Sequence, residues 1–143
     1  FPNLTVQGYG DASYAHSLLK QFKGEWEYDT NWKMINGHPK KASWIKAIQE
    51  GQRKVRKGLH LDCPVLVMSS DKSYPETKEW HNEYLSSDIV LDVHDIQKYA
   101  PKLGEYVTRD TIPNGIHDLI LSEKESRDHT YRTVFDWMNR KGF

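Results

Sequence analysis

A continuous apolar run at residues 64–69 constrains the fold of this chain more than any other feature. Between Pro64 and Ser69 the run reads Val-Leu-Val-Met, with no polar residue to face water. A half-exposed strand alternates apolar and polar residues, whereas an unbroken run is typical of a strand buried on both faces of a parallel sheet. The run therefore predicts a buried strand of a parallel α/β sheet. Cys63 precedes it and is expected to be a buried small hydrophobe.

Alternating elements are predicted around this strand. A helix at residues 43–57 precedes it and ends at Gly58, and a second strand is predicted at 105–112, where polar and apolar residues alternate. Further helices are predicted at 76–85, 93–103 and 126–141. The faces expected to be buried are Trp44, Ile45, Ile48 and Val55 in the first helix and Tyr131, Val134, Phe135 and Met138 in the last.

The first part of the chain, to about residue 58, has a different pattern. Asp11 is a candidate N-cap for a helix that extends to Phe22. An irregular aromatic stretch follows and is closed by a turn at residues 36–39. Its aromatic side chains, together with the first one of the next helix, are expected in the core: Trp26, Tyr28, Trp32 and Trp44. These patterns divide the chain at residue 58, into 1–58 and 59–143.

Two parallel strands are too few for a sheet that stands alone, since buried parallel strands need neighbours and helices on both faces. Either further strands are missing from these residues or a partner completes the sheet. The chain also begins at Phe1 and not at a methionine, which is consistent with a fragment. We therefore expect an exposed sheet edge that favours a homo-oligomer or strand exchange.

Composition argues against several kinds of partner. Twenty basic and twenty acidic side chains give no net charge, so no global field favours nucleic acid. No apolar run approaches the roughly 20 residues that span a bilayer, and no signal peptide is visible. The single cysteine cannot form an internal disulfide or a structural zinc site, and the seven histidines show no H-x-x-x-H spacing. We expect a cytoplasmic chain without transmembrane segment, metal or cofactor.

Two loops carry residues that could perform chemistry. His117 follows the second strand in an Asn114-Gly115 turn, and functional groups of doubly wound sheets gather at the C-terminal ends of strands. Asp88 precedes the apolar step Ile-Val-Leu, in a loop where its carboxylate could orient His117 through Nδ1. Both residues also have an ordinary explanation, as a turn histidine without a task and as an N-cap or Asx-turn aspartate.

Other aspartates compete for the role of the acid. Asp71 directly follows the first strand, and Asp92 lies four residues past Asp88. Asp118 is discounted because it points elsewhere if His117 points inward.

The nucleophile is missing from this pattern. A triad needs a nucleophile besides its base and acid, but the chain contains no G-x-S-x-G turn. Ser69 and Ser70 end a strand without the flanking glycines of such a turn, and Ser122 is expected to cap the final helix. Cys63 is expected to be too buried to react.

The chain resembles a known family in four segments. They read PVLVMSSDKS at 64–73, SDIVLDV at 87–93, IPNGIHDL at 112–119 and TVFDWM at 133–138. They are similar, in order, to the strand before the acid loop, the acid loop, the histidine loop and the closing helix of α/β-hydrolases of the serine aminopeptidase and lysophospholipase-like (monoglyceride lipase-like) group. The resemblance implies a partial α/β-hydrolase fold whose nucleophile-bearing half is absent, with a helical cap at 1–58 and the C-terminal part of the core at 59–143.

The resemblance also implies roles for individual residues. His117 would be the general base and then the general acid, and Asp88 would orient it. Asp88 is preferred to Asp71 because the family's acid precedes an Ile/Val-Val step, although residues 74–87 are an insertion relative to the family. The implied function is that of a serine hydrolase fragment acting on ester or lipid-like substrates, inactive without its missing N-terminal half. The alternative is a small non-catalytic α/β binding or scaffold module.

Overall fold

The structure, a computed structural model, describes residues 4–6 and 12–143. These residues form a mixed α/β structure with four α-helices and two small two-stranded sheets. In chain order the elements are β1 (Thr5–Val6), α1 (Ser13–Leu18), β2 (Lys40–Lys41), α2 (Ala42–Lys57), β3 (Val65–Ser70), α3 (Val93–Tyr99), β4 (Val107–Ile112) and α4 (Lys124–Lys141). Short 3-10 helices lie at Asn82–Leu85, Ala100–Leu103 and Leu119–Leu121.

The parallel pair β3 and β4 is the framework that positions the site. Val65 lies opposite Val107, and the register continues to Ser70 opposite Ile112, which confirms the two predicted strands. The prediction that β3 is buried on both faces is wrong, because only Ser69 and Ser70 are buried and the apolar residues before them are half-exposed. The physical reason is that β3 pairs with one neighbour in the described part of the chain, so its remaining edge and faces are only partly covered.

The longer helices follow the sequence patterns closely. Helix α2 ends at Gly58, whose φ of +104° suits a residue without a Cβ. Helix α4 ends at Gly142 in the left-handed conformation. The helix predicted at 93–103 is divided into α3 and a 3-10 helix around Pro101, which has no N–H to continue the α-helical ladder.

The helix predicted at residues 76–85 is wrong. This segment is irregular apart from the 3-10 turn Asn82–Leu85. Tyr84 is fully buried there, and its hydroxyl accepts a hydrogen bond from Thr77 N at 2.8 Å and donates one to Glu79 O at 3.3 Å. These side-chain bonds to the backbone satisfy groups that a helix would have used for its own ladder.

Helix α4 buries a different face from the one predicted. Its buried residues are small and polar, namely Ser126, Thr130 and Thr133, whereas Tyr131 and Phe135 are exposed and stack on each other. Val134 and Met138 are half-buried. Burial leaves two of these hydroxyls hydrogen-bonded, since Ser126 Oγ donates to the Pro113 carbonyl and Thr130 Oγ1 donates to the Ser126 carbonyl.

Several residues expected in the core are exposed. Cys63 is exposed, as are Trp32 (84%) and Trp44 (52%), while Trp26 and Tyr28 are half-buried. Within the described residues α2 contains no fully buried residue: Ile45 and Val55 of its predicted apolar face are half-buried, and Ile48 is exposed.

Helix α1 is shorter than predicted. Leu18 and Leu19 are buried at its end, but Phe22 lies beyond it and is largely exposed. The expected N-cap Asp11 lies outside the described residues.

The segment after α1 packs against the region that follows β4. Trp26 Nε1 donates to the Leu121 carbonyl at 2.7 Å, and the Arg127 guanidinium lies 4.9 Å from the centre of the Trp26 indole. Arg127 also contacts Glu25 at 3.4 Å. Residues 12–33, called the N-terminal segment below, are therefore held beside the turn that carries His117.

Candidate functional site

The loop that carries Asp88 returns to the C-terminal extension of β3. Asp88 N donates to the Lys72 carbonyl and Tyr74 N donates to the Asp88 carbonyl, each at 3.0 Å. These bonds form an isolated parallel bridge between Ser73 and Asp88. Residues 74–87 therefore leave the strand end and come back to it, which places the carboxylate there despite its distance along the chain.

The turn after β4 presents His117 at the same end of the sheet. Asn114 adopts a positive φ of 55°, and Gly115 N donates to the Ile112 carbonyl at 3.1 Å. A Cβ on Gly115 would lie 3.2 Å from that carbonyl oxygen and 2.6 Å from Leu119 Cδ2, so the turn is too close-packed for a larger residue to fit without displacement. This bond and the close packing of Gly115 determine where the turn presents His117.

The two side chains are hydrogen-bonded. His117 Nδ1 lies 3.0 Å from Asp88 Oδ2. Asp88 is only 2% exposed, and its other oxygen, Oδ1, accepts from the Val90 and Leu91 amides, both at 2.8 Å. The His117 side chain remains 28% exposed. One carboxylate oxygen therefore holds the loop as an Asx turn, while the other is directed at the imidazole.

The pair favours its charged form. Burial alone would raise the pKa of Asp88, but the hydrogen bonds from His117 and from the two amides outweigh it and lower the pKa below its usual range. The hydrogen bond to Asp88 raises the pKa of His117, against the opposing effect of burial. The hydrogen bond between the two side chains therefore contributes to both pKa shifts.

This geometry selects one tautomer of neutral His117. An ionised carboxylate can only accept, so Nδ1 carries the proton that bonds to Asp88. Among residues 4–6 and 12–143, Nε2 has no hydrogen-bond partner. The imidazole therefore presents a free lone pair at Nε2, which is the atom that accepts a proton in a Ser-His-Asp site.

The rival aspartates have other partners. Asp71 Oδ1 accepts from Asn114 N at 3.0 Å and so ties the β3 end to the histidine turn, without contacting the imidazole. Asp92 caps α3 by accepting from His94 N at 2.9 Å. Asp118 accepts hydrogen bonds from Tyr14 and Lys33, and in the described residues no hydrogen bond joins it to His117.

No hydroxyl or thiol in the described residues hydrogen-bonds to His117. Ser69 Oγ donates to the Ser70 carbonyl, and Ser70 Oγ accepts from Lys72 N. The prediction that Ser122 caps α4 is wrong, because its buried hydroxyl accepts from Ile116 N at 3.0 Å and supports the histidine turn instead. Cys63, though exposed, precedes β3 and lies at the opposite end of that strand.

Sequence reasoning missed two residues beside the site. Tyr14 Oη donates to Asp118 Oδ2 at 2.6 Å and its ring meets the His117 ring edge-on, while Lys33 Nζ donates to the same Asp118 oxygen at 2.7 Å. The sequence places Tyr14 only within the first predicted helix and assigns no role to Lys33. No local pattern marks a contact between residues so far apart in the chain.

Other kinds of site find no support in the described ranges. They contain no cluster of three or more His, Cys, Asp or Glu side chains that could hold a metal ion. Within the same residues, no helix combines the length and the apolar character that crossing a bilayer requires. Comparisons with models of known protein families, with curated proteins and with solved structures gave no match for this chain.

Proposed function

We propose that these 143 residues supply the acid and the base of a serine hydrolase that acts on carboxylic esters. The proposal assigns the chain to a partial α/β-hydrolase fold, in which β3, β4 and the helices around them form the C-terminal part of the sheet. Its substrates are esters of ordinary or lipid-like acids. The nucleophilic serine comes from outside residues 1–143.

One observation carries the proposal. A buried carboxylate and a partly exposed imidazole lie within 3.0 Å of each other where two adjacent parallel strands end. The carboxyl edge of a parallel sheet is where such folds gather their functional groups. An aspartate that only shaped its loop would not also need an oxygen directed at a histidine on another loop.

The proposed chemistry assigns a separate task to each group. His117 Nε2 takes the proton of the serine as it attacks the ester carbonyl, and later returns a proton to the leaving alcohol. Asp88 keeps the proton of neutral His117 on Nδ1 and stabilises the imidazolium that forms. Because the pKa of His117 is raised, the base is fully neutral only above its usual titration range, so the rate should rise with pH through that raised value.

A phosphonate probe tests this proposal on the complete translation product of the gene. A fluorophosphonate labels serines that a neighbouring base has activated. The wild-type protein should be labelled at one serine outside residues 1–143, and D88N should slow labelling by up to about 10⁴-fold. D71N is the matched control, because the oxygen of its side-chain amide can still accept the bond from Asn114 N, and it should leave the rate unchanged.

The alternative function, a non-catalytic binding or scaffold module, is supported by the structural role of Asp88 Oδ1 on the Val90 and Leu91 amides. It makes the opposite forecast for the same experiment. If the fluorophosphonate does not label the complete protein, or labels wild type and D88N equally fast, the non-catalytic module is favoured and the hydrolase proposal is refuted.

A further inference from the structure

A second cluster of polar side chains, formed by Tyr14, Lys33 and Asp118, lies beside His117. Tyr14 Oη donates to Asp118 Oδ2 at 2.6 Å and accepts from Asp118 N at 3.2 Å. Lys33 Nζ donates to the same carboxylate oxygen at 2.7 Å and lies 5.1 Å from the centre of the Tyr14 ring. Two residues from the N-terminal segment therefore converge on the residue that follows His117.

Tyr14 also touches the imidazole itself. The two ring centres are 5.8 Å apart at an angle of 78°, which is an edge-on contact. We propose that Tyr14 and Lys33 are positioning residues for His117. Tyr14 fixes the plane of the imidazole and the backbone that carries it, and Lys33 pairs with Asp118 so that Asp88 is the carboxylate that hydrogen-bonds to the ring. The value of this device for catalysis rests on the proposed function, but the device itself belongs to the described chain.

The contact of Tyr14 restricts a motion that Asp88 leaves free. A single hydrogen bond at Nδ1 fixes one atom of the imidazole, and the ring can still rock about that bond. The edge-on contact between the two rings restricts this rocking, while the Tyr14 hydroxyl bonds to both the side chain and the backbone of Asp118. Burial, and after it the hydrogen bond to Asp118, raise the pKa of Tyr14 far above its usual value, so the hydroxyl stays a donor.

The positive charge of Lys33 offsets part of the negative charge near His117. Two carboxylates face His117, Asp88 through a hydrogen bond and Asp118 through space, and both raise the pKa of the imidazole. Lys33 is the cation that acts against them. Burial would raise the pKa of Asp118, but the hydrogen bonds from Lys33 and Tyr14 outweigh this effect and lower the pKa. The Asp118 carboxylate therefore stays ionised and bonded to these two residues.

NMR of the ¹⁵N-labelled imidazole tests this proposal without requiring any enzymatic activity. The 143-residue chain is titrated, and the pKa and the tautomer of His117 are read for wild type, K33M, Y14F and Y14L. K33M should raise the pKa of His117, by about a threefold change in its proton dissociation constant, because one nearby charge is removed. Y14L should lower that pKa toward 6.5 and reduce the Nδ1-protonated tautomer, because the hydrogen bond to Asp88 weakens.

Two control variants separate positioning from general destabilisation. K20M removes a lysine that pairs with Glu27 at 3.5 Å on the surface, and Y106F removes the hydroxyl of an exposed tyrosine. Neither should move the His117 resonances. Y14F keeps the ring and removes the two hydrogen bonds between its hydroxyl and Asp118, so it should lower the pKa of His117 less than Y14L does.

A merely structural role for Tyr14 and Lys33 would lower stability without moving the pKa of His117 in opposite directions. The proposal is overturned if K33M and Y14F fold normally by circular dichroism and titrate as wild type at His117. Because this readout follows proton binding alone, it can fail while the phosphonate experiment succeeds, and the reverse also holds.

Discussion

Replacement of Asp88 by asparagine tests whether this carboxylate orients His117, because it removes the charge and leaves the shape of the side chain almost unchanged. The carboxylate accepts three hydrogen bonds, two from the Val90 and Leu91 amides at 2.8 Å and one from His117 at 3.0 Å. A bond to a charged group contributes about 1 kcal/mol more than one between neutral groups, so the three together give an upper limit of about 3 kcal/mol. At a position only 2% exposed, a neutral amide costs less to bury than a carboxylate, which offsets part of this loss. We therefore expect D88N to lower the free energy of unfolding by about 1 to 3 kcal/mol.

The same substitution should reverse the tautomer of His117. In D88N the oxygen of the side-chain amide can still accept the hydrogen bonds from the Val90 and Leu91 amides. The NH₂ group of the same side chain then faces His117 Nδ1, which must accept a hydrogen bond instead of donating one. The proton of neutral His117 moves to Nε2, and the pKa of the imidazole falls because its largest raising influence is gone. The chain then has no lone pair to offer at the position where a serine would be deprotonated.

Urea unfolding and long-range ¹H–¹⁵N correlation spectra of the imidazole measure the two effects. D71N is the control, because Asp71 makes one backbone bond at 3.0 Å and does not contact the ring. It should cost less than about 1 kcal/mol and leave the tautomer unchanged. If His117 in folded D88N stays protonated at Nδ1 with the pKa of wild type, Asp88 does not orient it and the reasoning is refuted.

Further predictions concern the fold and the pair as a whole. The pair should stabilise the fold most between pH 3.8 and 6.5, because its contribution is lost as pH falls through the lowered pKa of Asp88 and as pH rises through the raised pKa of His117. Urea titrations across pH should show H117Q without the loss at high pH and with a smaller loss at low pH, since the Val90 and Leu91 amides still bond to Asp88. Y84F should lower the free energy of unfolding by about 1 kcal/mol, since it leaves Thr77 N without its 2.8 Å partner, and an unchanged urea midpoint would contradict this. The purified 143-residue chain should hydrolyse p-nitrophenyl esters no faster than buffer, and a rate that H117Q abolishes would disprove the need for an external nucleophile. The uncovered edge of β3 should make the chain associate, so a monodisperse monomer at high concentration in light scattering would count against an open edge.

The elements that the sequence predicts well are those determined by local signals. The parallel strands follow from an apolar run and an alternation, and α2 and α4 end at Gly58 and Gly142, where a positive φ is needed. For these parts, the residues nearby in the chain carry enough information. For the Asp88 and His117 pair, the sequence places both residues in loops but leaves Asp71 and Asp92 as rival acids, and the preference for Asp88 comes from the family resemblance.

The errors arise where distant residues decide the outcome. The segment at 76–85 has a helical pattern, but the buried Tyr84 hydroxyl bonds its backbone and prevents a helix. The inward face of α4 is set by the close approach of Ser126 and Thr130 to their neighbours, which hydrophobicity alone does not indicate. The link from Tyr14 to Asp118 spans most of the chain, so no short pattern could have revealed it.

Ester hydrolysis by the complete translation product, compared between wild type and H117Q, tests the central claim most directly. H94Q is the matched control, because His94 is exposed and lies in α3, away from the pair. If His117 is the base of a serine hydrolase, H117Q should lower kcat/KM on a p-nitrophenyl ester by about 10⁴-fold or more, while H94Q keeps the wild-type value. Equal kcat/KM values for wild type and H117Q, with both proteins folded, would contradict the claim that the Asp88 and His117 pair performs the chemistry.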